Sequence, residues 1–240
     1  MPKHFWRGTW SGRSPSGTGH QRAREILRPT GGIMRGKFPS RKNGRMVQHE
    51  GLLELDAIYL FEAHPRIAAY REQPCTVRYP DGARLRRYTP DFEVILSNGE
   101  TVLIEIKPRR SLEDPEVRHK LRCVAEHFTR INRQFVVLDC GLLRMEPRLT
   151  NLRWICHHAA RVMPSAAFAH MTLLRYREQL PTSFRTVSQL MAGTGIDPAS
   201  LMLMGLLRCD LDAQVTLDTL VRSTTEDDHD WFCISQEHGF

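Results

Sequence analysis

The sequence predicts an α/β core with a mixed sheet, followed by a mostly helical second half. Three observations support this fold class. Between residues 47 and 140, helical patterns and β-rich runs follow one another as helix, strand, hairpin, helix, strand. Asn98-Gly99 separates two of the β-rich runs, and this dipeptide is typical of hairpin turns. Beyond residue 145 the patterns become mainly helical.

The first half begins with a helix predicted over residues 47–63, which His64-Pro65 should end because the residue before a proline resists the helical conformation. Glu62, near the end of this helix, is expected to be solvated. Residues 66–74 are interpreted as a connector. The remaining elements are a strand at 75–80, a hairpin of 92–96 with 101–107, a helix at 113–132 and a buried strand at 133–140.

The second half is predicted to hold two helices, at 149–162 and 165–180, and then two shorter ones. Pro181 ends the second helix. Residues 209–221 have the pattern of a small hairpin. A helical domain that ends in a hairpin is compatible with a winged-helix arrangement.

Positive charge is concentrated at the start of the chain. Residues 1–49 hold eleven Lys or Arg against one acid, a net of +10, so the rest of the chain carries −3. Such an arm is typical of nucleic-acid binders, because cations near phosphates release condensed counterions. We therefore expect four regions: a basic, partly flexible arm (1–45), the α/β domain (46–144), the helical domain (145–225) and an acidic tail (226–240).

Membrane and secretory classes are not favoured by the sequence. No run is long and apolar enough to cross a membrane. The first residues lack the apolar stretch of a secretory signal, so we expect a cytoplasmic protein without a membrane partner.

Charged residues flank the predicted hairpin in an unusual way. Asp91 enters its first strand, and Glu105 and Lys107 lie on one face of its second strand because strand side chains alternate. Two converging carboxylates repel unless a cation lies between them, and Mg²⁺ prefers oxygen ligands. Glu54, on the upstream helix among leucines, offers a third carboxylate. The pattern indicates a metal site with a lysine that orients or deprotonates water; the alternative is a polar solvent face.

These residues carry a family resemblance. Pro90-Asp91 followed by Glu105-Ile106-Lys107, with Glu54 on the preceding helix, resembles the PD-(D/E)xK restriction-endonuclease-like superfamily. More closely, residues 36–74 with YTPDF and IEIKP resemble the TnsA endonuclease subunit of heteromeric cut-and-paste transposons. The similarity spans about 36–140; the region after 145 is more weakly similar to that family's winged-helix-like domain. Gly51 stands where the family has serine and is expected to weaken the helix slightly.

The resemblance implies a restriction-endonuclease-like core that cleaves double-stranded DNA at the 5′ ends of a transposon. A DDE transposase subunit and an AAA+ ATPase regulator would be its partners, and Mg²⁺ (or Mn²⁺) its cofactor. Glu54, Asp91, Glu105 and Lys107 would be catalytic, the first three as metal ligands, and Gln73 would lie near the site. We expect the arm to contact DNA phosphates through five side chains, namely those of Arg35, Lys37, Arg41, Lys42 and Arg45.

Two other functions remain open on the sequence. A free-standing nuclease of the restriction, repair or junction-resolving type would have the same core and would cut DNA alone. A non-catalytic DNA-binding adaptor, the second alternative, has no reason to retain Asp91, Glu105 and Lys107 together.

Overall fold

The computed structural model describes residues 20, 22–23, 34–224 and 233–240. Most of the predicted arm before residue 34, and residues 226–232 of the predicted acidic tail, lie outside this part of the chain. The described residues divide into two compact units. The first contains the chain up to Ile58 together with Ile67–Leu143, and the second contains Tyr59–Arg66 together with Arg144–Phe240.

The first unit opens with an antiparallel hairpin of β1 (Arg35–Ser40) and β2 (Arg45–Glu50). Asn43-Gly44 lies in its turn, and Gly44 has a φ of +59°, which suits glycine. Residues 35–45, expected to belong to the arm, are therefore strand and turn. The hairpin is tightly packed at Gly36, where an added Cβ would lie 2.5 Å from the Nε2 atom of His49.

Helix α1 (Leu52–Ala63) begins later than predicted, because residues 47–50 belong to β2. Gly51 separates the two elements with a φ of +96°, a conformation open to glycine, and it precedes the helix rather than weakening it. Ala57, Ile58 and Phe61 are buried. Glu62 is also buried, with 1% of its surface exposed, so the expectation of a solvated side chain was wrong.

The central sheet has four strands in the order β3-β6-β7-β8. β3 and β7 pair antiparallel with β6, and β8 is parallel to β7. The bounds are β3 Ile67–Glu72, β6 Phe92–Leu96, β7 Thr101–Lys107 and β8 Gln134–Asp139. The predicted hairpin and buried strand are present, whereas the segment interpreted as a connector supplies β3. Its irregular burial, caused by a register shift near Ala69, hides the strand alternation.

A second hairpin and two helices complete the first unit's framework. β4 (Val77–Asp81) pairs with β5 (Arg84–Tyr88), and the short helix α2 (Arg109–Leu112) precedes α3 (Pro115–Arg130). Asp114 caps α3 by accepting a hydrogen bond from the backbone of Glu116, and Pro115 is at N1, where proline is favoured. One core cluster joins the hairpin, β7 and α3 through Tyr79, Tyr88, Leu103, Val124 and Phe128.

The first unit ends with α4 (Cys140–Leu143), and the second unit then alternates helices with very short strands. Its three-stranded antiparallel sheet has the order β10-β11-β9. The elements are α5 Arg148–His158, α6 Ala166–Tyr176, β9 Thr182–Ser183, α7 Phe184–Leu190, α8 Pro198–Leu203, β10 Leu207–Arg208 and β11 Leu220–Ser223. Short 3₁₀ turns occupy Arg177–Gln179 and Gln236–His238.

The sequence placed a small hairpin at 209–221. The observed pairing instead joins Leu207 to Ser223 and Arg208 to Arg222, and β11 also pairs with β9. Among the described residues, no helix is both long and apolar enough to cross a membrane.

Candidate active site

Three of the predicted site residues meet where β6 and β7 pair. Phe92 lies opposite Ile104, so the same register places Asp91 opposite Glu105. Asp91 Oδ2 accepts a hydrogen bond from the Ile106 backbone N–H at 2.8 Å. Lys107 Nζ lies 2.5 Å from Glu105 Oε1 and 3.8 Å from Asp91 Oδ2. The structure thus brings the carboxylates of Asp91 and Glu105 together at the Lys107 ammonium group.

Glu54 belongs to the same cluster. It lies in the first turn of α1, where its Oε2 accepts the Glu50 backbone N–H at 2.6 Å. Burial, reinforced by the negative charge of Asp91, raises the pKa of Glu54 to about 8, while the hydrogen bond from Glu50 and the Lys107 charge act in the opposite direction. Even with the Lys107 ammonium group among them, the carboxylates of this cluster therefore do not all ionise at neutral pH.

Lys107 is held in its charged form. Burial alone would lower its pKa, but the carboxylates of Asp91, Glu105 and Glu54 outweigh burial and raise the pKa of Lys107 above its ordinary value. Its Nζ also donates a hydrogen bond to the Ile106 carbonyl at 3.2 Å. The ammonium group is therefore a fixed positive charge within the site.

The donor set fits a hard divalent cation. Three carboxylates surround a single amine, and one atom of Glu105, its Oε2, is buried without a hydrogen-bond partner. An unpaired buried carboxylate oxygen is costly, and a metal ion would satisfy it. Oxygen ligands of this kind suit Mg²⁺ or Mn²⁺. Glu54, Asp91 and Glu105 are therefore the residues that could hold the ion.

Tyr88 is a site residue that the sequence analysis missed. Its ring is buried, and burial, followed by the negative charge of Glu105, raises the pKa of Tyr88, so its hydroxyl remains neutral. The position three residues before Asp91, in YTPDF, was the available signal. An aromatic residue there is read first as core, and Tyr88 does pack with Tyr79 and Phe128.

Gln73 lies next to the site through its backbone. The residue is buried and has a φ of +47°, which is uncommon for a non-glycine residue. Its N–H donates to the Asp91 carbonyl at 2.8 Å, and its carbonyl accepts the Ala23 N–H at 3.0 Å. The turn after β3 is thereby tied to the residue that precedes β6.

The neighbouring Glu72 organises a buried cluster of cationic side chains. Arg45 donates two hydrogen bonds to its carboxylate, at 2.8 and 2.5 Å, and Arg22 donates a third at 3.1 Å. Burial acts to raise the pKa of Glu72, but the hydrogen bonds and charge of Arg45 prevail and lower it. Arg45, expected to contact DNA, is 3% exposed and bonded within the protein.

The other four cations that were expected to contact DNA lie on β1 or in the turn that follows it. Arg35 pairs with Glu50 across the β1–β2 hairpin, with its Nε 3.0 Å from Oε1. Lys42 Nζ donates to the Ile67 carbonyl at 2.6 Å. Lys37 is half-buried on β1, and Arg41 is half-buried in the turn. Arg35, Lys42 and Arg45 therefore already have partners within the first unit.

Part of the chain matches a known protein family. Residues 64–139 match the family model described as TnsA-like endonuclease N terminal. The matched segment contains Asp91, Glu105 and Lys107, whereas Glu54 and residues 140–240 lie outside it. No curated protein matches this chain.

Proposed function

From the match of residues 64–139 to the TnsA-like endonuclease family, we propose that this chain is a TnsA-type endonuclease and the metal-dependent DNA-cleaving subunit of a transposition complex. It would cut at the 5′ ends of the transposon, with a DDE transposase and an AAA+ ATPase regulator as partners. One observation carries the proposal: Lys107 Nζ lies against both Asp91 and Glu105, while Glu105 Oε2 has no partner.

The roles follow from the charges. Glu54, Asp91 and Glu105 would hold Mg²⁺ or Mn²⁺, which when bound would polarise the scissile phosphate and lower the pKa of water. The raised pKa of Lys107 keeps its ammonium protonated. Lys107 is therefore better suited to orienting the attacking water and balancing negative charge on phosphorus than to removing a proton. Hydrolysis would leave a 5′ phosphate and a 3′ hydroxyl.

The backbone supports this arrangement. The Ile106 N–H fixes one oxygen of Asp91, and the Gln73 N–H fixes the Asp91 carbonyl. Both bonds hold the carboxylate opposite Glu105 before any ligand arrives. Such preorganisation lowers the cost of assembling a site for a charged transition state.

The element order of the second unit supports a winged-helix-like fold there. A strand, two helices and a two-strand hairpin follow one another, and the first strand pairs with the last. All six residues of α8, the second of these helices, are buried. Because a helix must be exposed to enter a major groove, we expect this unit to contact a protein rather than to read DNA with α8.

The test is DNA nicking in Mg²⁺ by the wild type and by Asp91→Ala and Lys107→Ala. Each protein is assayed alone and with the transposase and regulator encoded beside it. Glu126→Ala and Arg130→Ala, which remove an exposed acid and an exposed base on α3, are matched controls. We expect 5′-end cutting that requires the partners, is lost in both site variants and persists in both controls.

The remaining outcomes separate the alternatives. Cutting by the isolated wild type would favour a free-standing nuclease. If no combination cuts DNA, yet the wild type and the site variants bind it equally, the catalytic proposal is wrong and a DNA-binding adaptor is favoured.

A further inference from the structure

The β4–β5 hairpin has two chemically different faces. Side chains alternate along each strand, and directly opposed residues share a face. Tyr79 and Tyr88 face the core, where both join the cluster that includes Phe128 of α3. Arg86 lies opposite Tyr79 on this face, and its Nε is 2.5 Å from Asp81 Oδ2. The inner face therefore packs on the core through its tyrosines, and Arg86 and Arg84 on this face lie beside the carboxylate of Asp81 or directly opposite it.

The outer face carries two arginines without acids. Arg78 lies directly opposite Arg87, and the next pair on this face is Pro80 with Leu85. Arg78, Leu85 and Arg87 are exposed, and Leu85 keeps 70% of its surface accessible. Within the part of the chain that the structure describes, neither Arg78 nor Arg87 forms a hydrogen bond or an ion pair.

This juxtaposition is unfavourable in the isolated protein. Like charges directly opposite on a sheet destabilise it, and here no carboxylate lies between them. The same hairpin does provide a carboxylate for Arg86, through Asp81. An anion bound across Arg78 and Arg87 would remove the repulsion. A nucleic-acid backbone supplies a row of such anions.

The hairpin also leads directly into the candidate active site. Arg87 precedes Asp91 by four residues, so their Cα atoms are at most about 14 Å apart. That distance corresponds to about four nucleotides along one strand of DNA at 3.4 Å each. The base of the hairpin is fixed by a hydrogen bond between the hydroxyls of Thr76 and Thr89, 2.7 Å apart. The arginine pair is therefore held near the site.

From these observations we infer that the outer face of the β4–β5 hairpin, through Arg78 and Arg87, binds the phosphate backbone of duplex DNA within a few nucleotides of the bond that is cut. The inference rests on the proposed nuclease function and specifies where the substrate lies. It also differs from the expectation that the β1–β2 segment makes these contacts, since Arg35, Lys42 and Arg45 already have partners within the protein.

The test measures duplex binding by the full chain at several salt concentrations, without divalent metal so that no cleavage occurs. The variant is Arg78→Ser/Arg87→Ser. The control, Arg86→Ser/Arg130→Ser, removes the same charge from arginines that are paired with Asp81 and Glu126. Fluorescence anisotropy of two labelled duplexes of unrelated sequence gives the affinities.

We expect the slope of log K against log salt to lose about 2 in magnitude in the variant, because each phosphate contact contributes about 0.9. Affinity should fall equally for both duplexes, since backbone contacts carry no sequence information. Arg78→Lys/Arg87→Lys should keep the wild-type slope. Unchanged thermal unfolding of the serine variant would show that its fold is retained.

The inference is overturned if the serine variant keeps the wild-type slope, if the control loses as much slope, or if the wild type shows no salt-dependent duplex binding. The nuclease proposal is judged separately. Asp91→Ala should abolish partner-dependent cutting while keeping the wild-type salt slope. Cutting therefore tests the nuclease proposal, the salt slope tests the arginine pair, and either proposal can fail without the other.

Discussion

Glu54, Asp91 and Glu105 surround one ammonium group, and the arrangement leaves a shortage of positive charge. The first indication of this shortage is the pKa of Glu54, which burial and the negative charge of Asp91 raise to about 8. A second sign is the buried, unpaired Oε2 of Glu105. Both features are costly in the protein alone and would be relieved by a divalent cation.

The raised pKa of Glu54 gives a pH prediction. Below about pH 8 Glu54 is mostly protonated, so binding of a divalent ion must release its proton. Affinity for Mn²⁺ should therefore rise about tenfold for each pH unit below that value and level off above it. Titration calorimetry at several pH values measures this dependence. In Glu54→Gln it should be much flatter, and equal pH dependence in both proteins would contradict the role of Glu54.

Residues of this site differ in how far the sequence could reveal them. The spacing of Asp91, Glu105 and Lys107 and the alternation of strand faces were enough to group these three. Tyr88 could not be distinguished from an ordinary core aromatic, since its link to Glu105 depends on tertiary packing. Arg45 stands in a cationic stretch that is read as solvated, and only the fold brings it to Glu72, 27 residues away.

At the scale of elements, the Arg45–Glu72 pair connects β2 to β3. Both side chains are almost completely buried, with 2% and 0% exposed, and Gln48 N–H and Arg22 also bond to the Glu72 carboxylate. Removal of one partner from such a pair leaves an unbalanced buried charge, which costs about 3–5 kcal/mol. The first unit therefore depends on this pair to hold the β1–β2 hairpin against the sheet.

Glu72→Gln should lower the free energy of unfolding by about 3–5 kcal/mol at neutral pH. Because the folded pKa of Glu72 is depressed, its contribution is present above the unfolded value of 4.5 and is lost as pH falls through the folded value. The gap between wild type and variant should then close in acid. Urea denaturation at several pH values tests this prediction.

The matched control for this prediction is Glu126→Gln, because Glu126 is exposed and paired with Arg130 on α3. Its effect should remain within about 1 kcal/mol. Equal losses in the two variants, or a gap that stays constant into acid, would contradict the role assigned to the buried pair.

Two elements of the first unit show where sequence patterns fail. The β1–β2 hairpin lies in a polar, cationic stretch with few apolar residues, so Asn43-Gly44 was its main signal. β3 lacks strict alternation because its register shifts near Ala69. The Asn98-Gly99 hairpin was predictable because both flanking strands are β-rich and buried. Periodicity therefore identifies strands with regular apolar residues and misses strands whose sequence is polar or whose register shifts.

At the scale of the whole molecule, helix α1 is shared between the two units. The residues that end it, and the turn beyond, have partners contributed by the second half of the chain. Arg153 lies over the ring of Tyr59, 5.7 Å from its centroid, and Arg66 donates to the Gly239 carbonyl at 3.1 Å. Nothing in the sequence of α1 marks the boundary between the two units, which lies between Ile58 and Tyr59. A single helical pattern runs through both residues.

A chain that ends after Leu143 should therefore lose protection at residues 59–66, which would lack these partners. Amide hydrogen exchange should become fast there, while β6 and β7 remain protected by their own pairing. Mass spectrometry of exchanged peptides compares the fragment with the full chain. Equal protection of residues 59–66 in both would show that the first half completes α1 by itself.

Because α1 is shared between the two units, its two ends acquire their partners at different times during synthesis. The partners of Glu54 in the acidic cluster, the last of which is Lys107, emerge from the ribosome within about 44 residues beyond Ala63, but Arg153 and Gly239 emerge after about 90 and 176 residues. At roughly 5–20 residues per second, the end of the helix waits several seconds or longer for its partners. During this interval a nascent chain would hold its acidic cluster before α1 is complete, and chaperones would find Tyr59–Arg66 uncovered.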